Sequence, residues 1–357
     1  MPNKTALKKK EFDADALFAE LSSSTEYKTQ EYLNCGEAFA EVTGIAGPAI
    51  GHINEFIGHS DSGKTAALIK AMIASQKMGR LPVLIVTEEK WSFAHAKLMG
   101  FDCDEYEPDK WRGKFVFRDD FEYVEKITDF INAMLDKQDK GDLPWGLDFF
   151  WDSIGSVPCK LTWEGKGGKQ HTAGVLADKI GMGLNRRITS SRKLNKPYAN
   201  TLTLVVQPWV WKDMSNPMTK SRMQGKGGNA VYLNATLVFQ FGNIENAGTS
   251  AVSATKAGRK IKFATRTKVS VKKNHINGLG YEDGYIIITP HDFILNSDGA
   301  IKKYKEDYNE YWKVFLGIDA GTDFDLIDEN VSEANKLSKQ IAELSSYKNQ
   351  ADDSSDD

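Results

Sequence analysis

Apolar residues follow two different patterns along this chain. Short, nearly continuous apolar runs are typical of buried strands, whereas apolar residues three or four positions apart are typical of helices. From residue 51 onwards the two patterns alternate. The predicted strands are HINEFI (52–57), LPVLIVTEE (81–89), GLDFFWDS (146–153) and TLTLVVQP (201–208), and the predicted helices cover 65–79, 92–100, 121–137 and 173–194. This alternation indicates an α/β fold with a mainly parallel central sheet flanked by helices.

The two ends of the chain have different patterns. After about residue 230, strands follow one another with only turns between them, which predicts an antiparallel extension of one sheet edge. These strands are NATLVFQFG (234–242), KVSVKKN (268–274) and GYIIITP (284–290). Near the N-terminus, Leu17, Phe18 and Leu21 lie at helical spacing and predict a short amphipathic helix over 13–23.

The predicted elements divide the chain into four parts. Residues 1–50 are predicted to be an N-terminal segment whose helix can pack on a neighbour, and 51–300 are predicted to be the core. Residues 301–348 are predicted to be a small helical C-terminal part. The end of the chain, 349–357, is predicted to be a disordered acidic tail, because it carries several aspartates and no large apolar residue.

Composition narrows the choice of compartment and partner. The formal net charge is −3, so any affinity for nucleic acid must come from local basic patches. The three cysteines stand far apart without a C-x-x-C pair, which fits a reducing compartment. No apolar run approaches the roughly 20 residues that a membrane span needs. We therefore expect a cytoplasmic protein with no membrane partner.

The octapeptide GHSDSGKT at 58–65 fits the phosphate-loop pattern G-x-x-x-x-G-K-[ST], with a predicted strand before it and a predicted helix after it. Gly58 and Gly63 permit a tight backbone wrap whose N–H groups face phosphate oxygens. Lys64 is expected to reach the β- and γ-phosphates of ATP, and Thr65 is expected to place its hydroxyl on Mg²⁺. The predicted nucleotide-binding residues of this segment are Gly58, His59, Ser60, Asp61, Ser62, Gly63, Lys64 and Thr65.

Acidic residues end two other predicted strands. In a parallel sheet the carboxyl ends of the strands form the ligand crevice, so Asp152 is expected beside the phosphate loop as a second Mg²⁺-holding residue. A hydrolase also needs a group that orients or deprotonates the attacking water, and Glu88 or Glu89 is the candidate. The alternatives are that Asp152 only hydrogen-bonds a turn and that the glutamates only begin a helix.

Two segments that follow predicted strands, 159–172 and 208–228, combine lysine and glycine with large apolar side chains. Cations neutralise phosphates, and aromatic or long apolar groups stack against bases, so this mixture favours single-stranded nucleic acid. The alternative is two exposed loops whose Trp and Met residues pack on protein. The predicted DNA-binding residues are Lys160, Trp163, Lys166, Lys169, Trp209, Trp211, Lys212, Met218, Lys220, Arg222, Lys226, Gly227, Gly228 and Asn229.

Gln207 stands at the end of a predicted strand and directly before the second of these segments. At this place an amide can bond the γ-phosphate or the attacking water, and its state can set the conformation of the loop that begins at Pro208. The alternative is an amide that only satisfies backbone groups at a strand end. A third basic segment, 256–273, has eight Lys or Arg and no acidic residue. It is interpreted as a second nucleic-acid surface, as a donor of cations to the triphosphate of an adjacent subunit, or as a solvated face. Its candidate residues are Lys256, Arg259, Lys260 and Lys262.

The segments GHSDSGKT, VTEE, FFWDS, VVQ, GKGGNA and KVSVKKN follow one another in this order. A chain with these segments in this order resembles the RecA-type DNA strand-exchange recombinases, and among them the bacteriophage UvsX-like group. The resemblance covers roughly residues 35–290, and it implies a RecA-like P-loop core. Its most specific part is Gln207, followed by a long loop and then by Gly227, Gly228 and Asn229.

The resemblance also implies roles for single residues. The catalytic glutamate of the family stands twelve residues before the glycine that ends the next helix, and Glu88 stands at this distance before Gly100, which favours Glu88 over Glu89. His95 takes the place of an aromatic residue that stacks on adenine in the family. The catalytic set is then Glu88, Gln207 and Lys64. The two loops would hold DNA along a filament axis, the N-terminal helix would dock on the next subunit, and the acidic tail would restrain binding to duplex DNA.

The function that the resemblance implies is a DNA-dependent ATPase that uses ATP and Mg²⁺. It would form helical filaments on single-stranded DNA, pair them with homologous double-stranded DNA and exchange strands. Single-strand-binding and mediator proteins are further expected partners, and a bacterial cell or a phage-infected host is the expected setting. Two alternatives remain open from the sequence. One is a hexameric DNA helicase with a RecA core, and the other is an ATP-binding accessory paralogue that loads a recombinase.

Overall fold

The computed structural model describes residues 15, 18, 26–88, 90–105, 111–211, 222–243, 247–256, 259–311 and 313. Its strands are β1 (Ile53–Gly58), β2 (Leu81–Val86), β3 (Cys103–Glu105), β4 (Trp111–Gly113), β5 (Val116–Arg118), β6 (Leu147–Ile154), β7 (Thr201–Val206), β8 (Pro208–Trp211), β9 (Arg222–Gly225), β10 (Leu237–Phe241), β11 (Ser250–Lys256), β12 (Arg259–Asn274), β13 (Gly284–Ile288) and β14 (Phe293–Leu295). Its helices are α1 (Glu37–Thr43), α2 (Lys64–Lys77), α3 (Phe93–Leu98), α4 (Val124–Asp139), α5 (Lys160–Trp163), α6 (Lys169–Leu176), α7 (Asn185–Ser190), α8 (Asn229–Asn234), α9 (Asp298–Asp307) and α10 (Asn309–Tyr311).

One large twisted sheet organises these elements, in the order β14-β13-β12-β10-β1-β7-β6-β2-β5, with β11 paired to β12. Strands from β10 to β5 pair in parallel, whereas β12, β13, β14 and β11 pair antiparallel. The predicted α/β fold with a mainly parallel core and an antiparallel edge is therefore confirmed. The parallel strands β1, β2, β6 and β7 place their carboxyl ends along one edge of the sheet.

Side chains that alternate along the strands build a core on each face of the sheet. On one face, Phe56, Phe150 and Phe239 pack with Leu68 and Met72 of helix α2. The opposite face is covered by α4 and by the long helical segment after residue 169, with the buried contacts Ile53, Trp151, Ile127, Ile131 and Ile180. Burial on both faces explains why the parallel strands read as continuous apolar runs. None of the helices in the described parts of the chain is long and apolar enough to cross a membrane.

Several elements differ from the sequence prediction. The segment 159–172 is not an open loop, because it contains α5 and the start of α6. From Lys169 the helix runs on through a π-helical segment (Ala177–Leu184) into α7 and ends at Ser190, whereas the sequence predicts 173–194. The segment 208–228 begins and ends as a two-stranded antiparallel ribbon, β8 with β9. Strand β12 already begins at Arg259, although the sequence predicts only 268–274.

Some predictions fall outside the described residues. Positions 15 and 18 are helical, and the rest of the predicted N-terminal helix is not described. The same holds for Glu89, for Lys212, Met218 and Lys220, and for the acidic tail. The described part of the predicted C-terminal helical region consists of α9, α10 and residue 313.

Candidate nucleotide and nucleic-acid site

The carboxyl ends of the parallel strands and the loop after β1 surround a cavity of about 260 Å³. This is the crevice in which parallel α/β sheets bind their ligands. Polar and charged side chains from four different strand ends converge here. The cavity is lined by Ser60, Asp61, Lys64, Thr65, Val86, Glu88, Lys90, Trp91, Asp152, Ser153, Val205 and Gln207.

The loop at 58–63 has the backbone that a phosphate cradle needs. Gly63 has φ 101°, and a Cβ there would lie 1.9 Å from Ile288 Cδ1, so only glycine fits. A Cβ on Gly58 would lie 2.4 Å from the carbonyl oxygen of Phe241. Asp61 also adopts a positive φ, of 60°. The predicted loop residues therefore divide into those that shape the loop and those that line the cavity, the latter being Ser60, Asp61, Lys64 and Thr65.

Lys64 is the first residue of α2 and is 7% exposed. Its Nζ donates to the carbonyl oxygen of His59 at 2.7 Å, so the ammonium is folded back over the loop. Burial lowers the pKa of Lys64 to about 8, although Asp152, Glu88 and Asp61 act in the opposite direction. A buried cation among carboxylates is well placed to receive a polyanion, because the low local dielectric strengthens its attraction for phosphate.

We expect the affinity for ATP to fall above about pH 8. Well below its pKa Lys64 is an ammonium. Above about pH 8, ATP binding must be accompanied by the uptake of a proton from the solvent, because a bound phosphate favours the charged lysine. The dissociation constant at about pH 9 should be roughly tenfold higher than at about pH 7. Calorimetric titration in buffers of different ionisation enthalpy would report the proton uptake directly. Equal affinities at both pH values, without proton uptake, would contradict this assignment.

Thr65 and Asp152 supply oxygen atoms suited to Mg²⁺. The Thr65 hydroxyl donates to Asp152 Oδ2 at 2.9 Å, which joins helix α2 to the end of β6 beside Lys64. Burial raises the pKa of Asp152, and the nearby Glu88 carboxylate raises it further. No cluster of three or more His, Cys, Asp or Glu suited to a metal occurs among the described residues. A hydroxyl and one carboxylate fit Mg²⁺, which is usually held by one or two carboxylates together with the phosphates of its nucleotide.

Glu88 accepts hydrogen bonds from two neighbouring strands. The Ser153 hydroxyl and the Gln207 amide both donate to Glu88 Oε1, the latter over 2.5 Å. Gln207 in turn accepts from the exposed Lys226, whose Nζ lies 2.7 Å from Gln207 Oε1. Lys90 Nζ lies 4.0 Å from the other Glu88 oxygen. The predicted residues Glu88 and Gln207 are thus in direct contact. Ser153 also bonds to Glu88, and Lys226 also bonds to Gln207.

Trp91 lines the cavity, and His95 is not among the described residues that do so. The His95 backbone N–H is capped by the Ser92 hydroxyl at 3.2 Å, inside helix α3. The Trp91 indole Nε1 is buried and has no hydrogen-bond partner among the described residues. The sequence prediction overlooked Trp91. The signal for it was its place, two residues after the end of the predicted strand 81–89.

The segment 159–172 presents Trp163 and Lys166 on the surface, with Trp163 55% exposed. The Trp163 ring lies 5.8 Å from the ring of Tyr123. Lys166 Nζ lies 2.9 Å from a carboxylate oxygen of Glu164, and Lys160 Nζ lies 3.9 Å from the other oxygen. The positive charge of this segment is therefore partly neutralised, which the sequence prediction had not considered. The side chain of Lys169 is not described.

The ribbon β8–β9 rises directly from Gln207. Trp209 in β8 is 63% exposed and pairs across the ribbon with Gln224. The side chains of Trp211 and Arg222 are not described, although their backbones pair with each other at the outer end of the ribbon. The glycine pair that follows the ribbon has φ 103° at Gly227 and 85° at Gly228, and Asn229 then begins helix α8. These glycines turn the chain from the ribbon into helix α8.

The third basic segment lies on β11 and β12, and its Thr267 is beside the phosphate loop, since a Cβ on Gly63 would lie 3.9 Å from Thr267 Cγ2. Lys260 and Lys262 are exposed on the part of β12 that pairs with β11. Lys268 and Lys272 lie near Asp283, at 2.6 and 3.6 Å. The side chains of Lys256 and Arg259 are not described. None of the described residues of this segment lines the cavity.

Comparison with known proteins gives weak but extended similarity. No family model matches the chain. A protein named RecA from Francisella philomiragia is 25% identical over 326 residues, which cover 84% of this chain and 76% of that protein. RecA of Francisella tularensis subsp. novicida is 26% identical over 326 residues, covering 84% of this chain and 77% of that protein. This similarity supports a RecA-like family for the chain at a coarse level.

Proposed function

We propose, starting from this similarity to RecA proteins, that the chain is an ATP-dependent homologous recombinase. In this proposal it forms filaments on single-stranded DNA, pairs them with homologous double-stranded DNA and exchanges strands. At the coarse level the similarity suggests a DNA-dependent ATPase involved in recombination or repair. The UvsX-like subgroup, the filament and the strand exchange are the finer parts of the proposal.

The observation that carries the proposal is the position of Gln207. Its amide donates to Glu88 inside the nucleotide cavity, and its own backbone continues without a break into the ribbon β8–β9. A change at the γ-phosphate that moved this amide would also move the base of the ribbon. A nucleotide site that only stored or hydrolysed ATP would not need this connection.

In this proposal the side chains of the cavity have different roles in hydrolysis. Lys64 would neutralise charge on the β- and γ-phosphates, and Glu88 would orient the attacking water and accept its proton. Thr65 and Asp152 would hold Mg²⁺, which neutralises phosphate charge when it is bound. Trp91 would exclude water from one wall. Gln207 would contact the γ-phosphate once it leaves Glu88.

The DNA-binding part of the proposal rests on the two surface segments beside this cavity. Exposed Trp163 and Trp209 offer flat faces for bases, and exposed Lys166 and Lys226 offer cations for phosphates. These contacts do not distinguish sequences, so recognition would be left to base pairing. We further propose that the N-terminal helix predicted over 13–23 docks on the next subunit, that the acidic tail restrains duplex binding, and that single-strand-binding and mediator proteins act as partners.

The test is ATP hydrolysis with and without single-stranded DNA, together with strand exchange between a circular single strand and its linear duplex. We expect DNA to raise turnover and strand exchange to require ATP. Negative-stain images of the same samples should contain helical filaments. Closed rings with directional unwinding would instead indicate a helicase. ATP binding without turnover or polymer would indicate an accessory protein that loads another recombinase.

A further inference from the structure

Lys226 contacts the nucleotide site through Gln207. Its Nζ donates to Gln207 Oε1 at 2.7 Å, and Gln207 Nε2 donates to Glu88 Oε1 at 2.5 Å. The three side chains form a continuous hydrogen-bond relay from the surface to the catalytic candidate. Glu88 and Gln207 are 119 positions apart in sequence, and Gln207 and Lys226 are 19 positions apart.

The ribbon register explains why this relay forms. Pro208 pairs with Gly225 at the base of the ribbon, so the next pair inward is Gln207 and Lys226. The Lys226 backbone N–H donates to the carbonyl oxygen of Gln207 at 2.8 Å, which fixes the two residues opposite each other. The chain also passes close to Gly155 after β6, where a Cβ would lie 2.6 Å from Lys226 Cβ. The backbone of Lys226 is therefore held on two sides, while its side chain is exposed.

The relay keeps one oxygen of Glu88 occupied. A carboxylate oxygen offers about two lone pairs, and Glu88 Oε1 accepts from both Ser153 and Gln207. The Lys226 ammonium occupies Gln207 Oε1, which leaves the Nε2 end of the amide directed at Glu88. An amide held at both its oxygen and one of its two N–H groups is kept from turning towards a γ-phosphate.

We propose that Lys226 is a positioning residue that holds Gln207 on Glu88 until DNA binds. A DNA phosphate that captures the exposed ammonium would break its bond to Gln207 Oε1 and free the amide to turn towards the nucleotide. The inference rests on the proposed function and adds the regulation of its site. Among the described residues, Glu88, Asp61 and Asp152 line the cavity on the inner side of Gln207. Glu55 Oε1 lies 3.5 Å from the Cβ position of Gly225, and Glu55 is buried. The Lys226 side chain itself is exposed, so a phosphate can reach its ammonium.

The test compares Lys226→Met, Lys226→Arg and the control Lys140→Met, which removes an exposed lysine beyond the end of α4 at the opposite edge of the sheet. In Lys226→Met we expect DNA-free turnover to rise about fivefold. This is the effect expected from the loss of one hydrogen bond to a charged group, reduced because the lysine is exposed to solvent. Turnover at saturating single-stranded DNA should stay unchanged, so the stimulation ratio falls. Lys226→Arg should keep the ratio of the parent, because a guanidinium can make both contacts.

A second measurement separates this role from a structural one. If phosphate captures the ammonium, the salt dependence of single-stranded DNA binding should lose about one unit of slope in Lys226→Met. A merely structural role would lower the unfolding temperature and change both turnover rates by the same factor. An unchanged stimulation ratio, or an unchanged salt slope, would overturn the proposal. A parent that DNA does not stimulate at all would overturn the proposed function as well, which distinguishes the two failures.

Discussion

Lys64→Ala is expected to lower ATP turnover by about 10³-fold, the effect of removing a preorganised donor from the site where charge develops. The ammonium is buried in the cavity and its nearest acceptor is the His59 carbonyl, which a phosphate oxygen can replace without cost in hydrogen bonds. Alanine leaves this carbonyl and the phosphate without a cation. The pKa of Lys64, about 8, shows that burial already disfavours the charge, so its interaction with an arriving anion is correspondingly strong.

The control for this variant is Lys77→Ala, in the last turn of the same helix and exposed. It removes the same charge from α2 without touching the cavity, and its turnover should stay within about twofold of the parent, as for most surface substitutions. Turnover, ATP affinity and the unfolding temperature should be measured for both variants. If Lys64→Ala hydrolysed ATP at the parent rate with an unchanged fold, the cavity around 58–65 would not be the hydrolytic site.

The architecture was predictable because its signals are local. Strand β1, the phosphate loop and the start of α2 follow from an apolar run, a glycine-rich octapeptide and a helical period that are adjacent in sequence. Since parallel strands place their carboxyl ends at one edge, Thr65 and Asp152 were expected to meet, and they lie 2.9 Å apart. Glu88 and Gln207 were expected at the same edge for the same reason.

Several side-chain contacts at this site could not be predicted, because they depend on how segments far apart in sequence pack together. Strand β8 contains Trp and Val, which favour strands. The glycines around the ribbon favour a loop, and the sequence prediction followed the glycines. The contact between Lys226 and Gln207 depends on the ribbon register, and no spacing in the sequence encodes it. The partial neutralisation of Lys160 and Lys166 by Glu164 depends on the turn of α5. These contacts are properties of tertiary structure.

Glu88→Gln is expected to reduce ATP turnover by about 10²- to 10³-fold while ATP binding is retained, because it removes the proposed general base and keeps the shape of the side chain. The amide oxygen can still accept from Ser153 and Gln207, so the network at the strand ends should remain. In the proposed function a site that binds ATP and does not hydrolyse it keeps the DNA-holding state populated. Single-stranded DNA should therefore dissociate more slowly from Glu88→Gln in ATP than from the parent.

The matched variant Glu89→Gln decides between the two neighbouring glutamates. Strand β2 ends at Val86, and Glu88 bonds to Ser153 and Gln207 at the strand ends beside it. These contacts hold the Glu88 carboxylate beside the cavity, where it is positioned to take a proton from a water next to the γ-phosphate. If Glu88 is the base, as proposed, Glu89→Gln should hydrolyse ATP within about threefold of the parent, as do most substitutions that remove no catalytic group. The reverse result, with Glu88→Gln active and Glu89→Gln inactive, would show that Glu89 is the base. The contact between Gln207 and Glu88 would then have no part in hydrolysis.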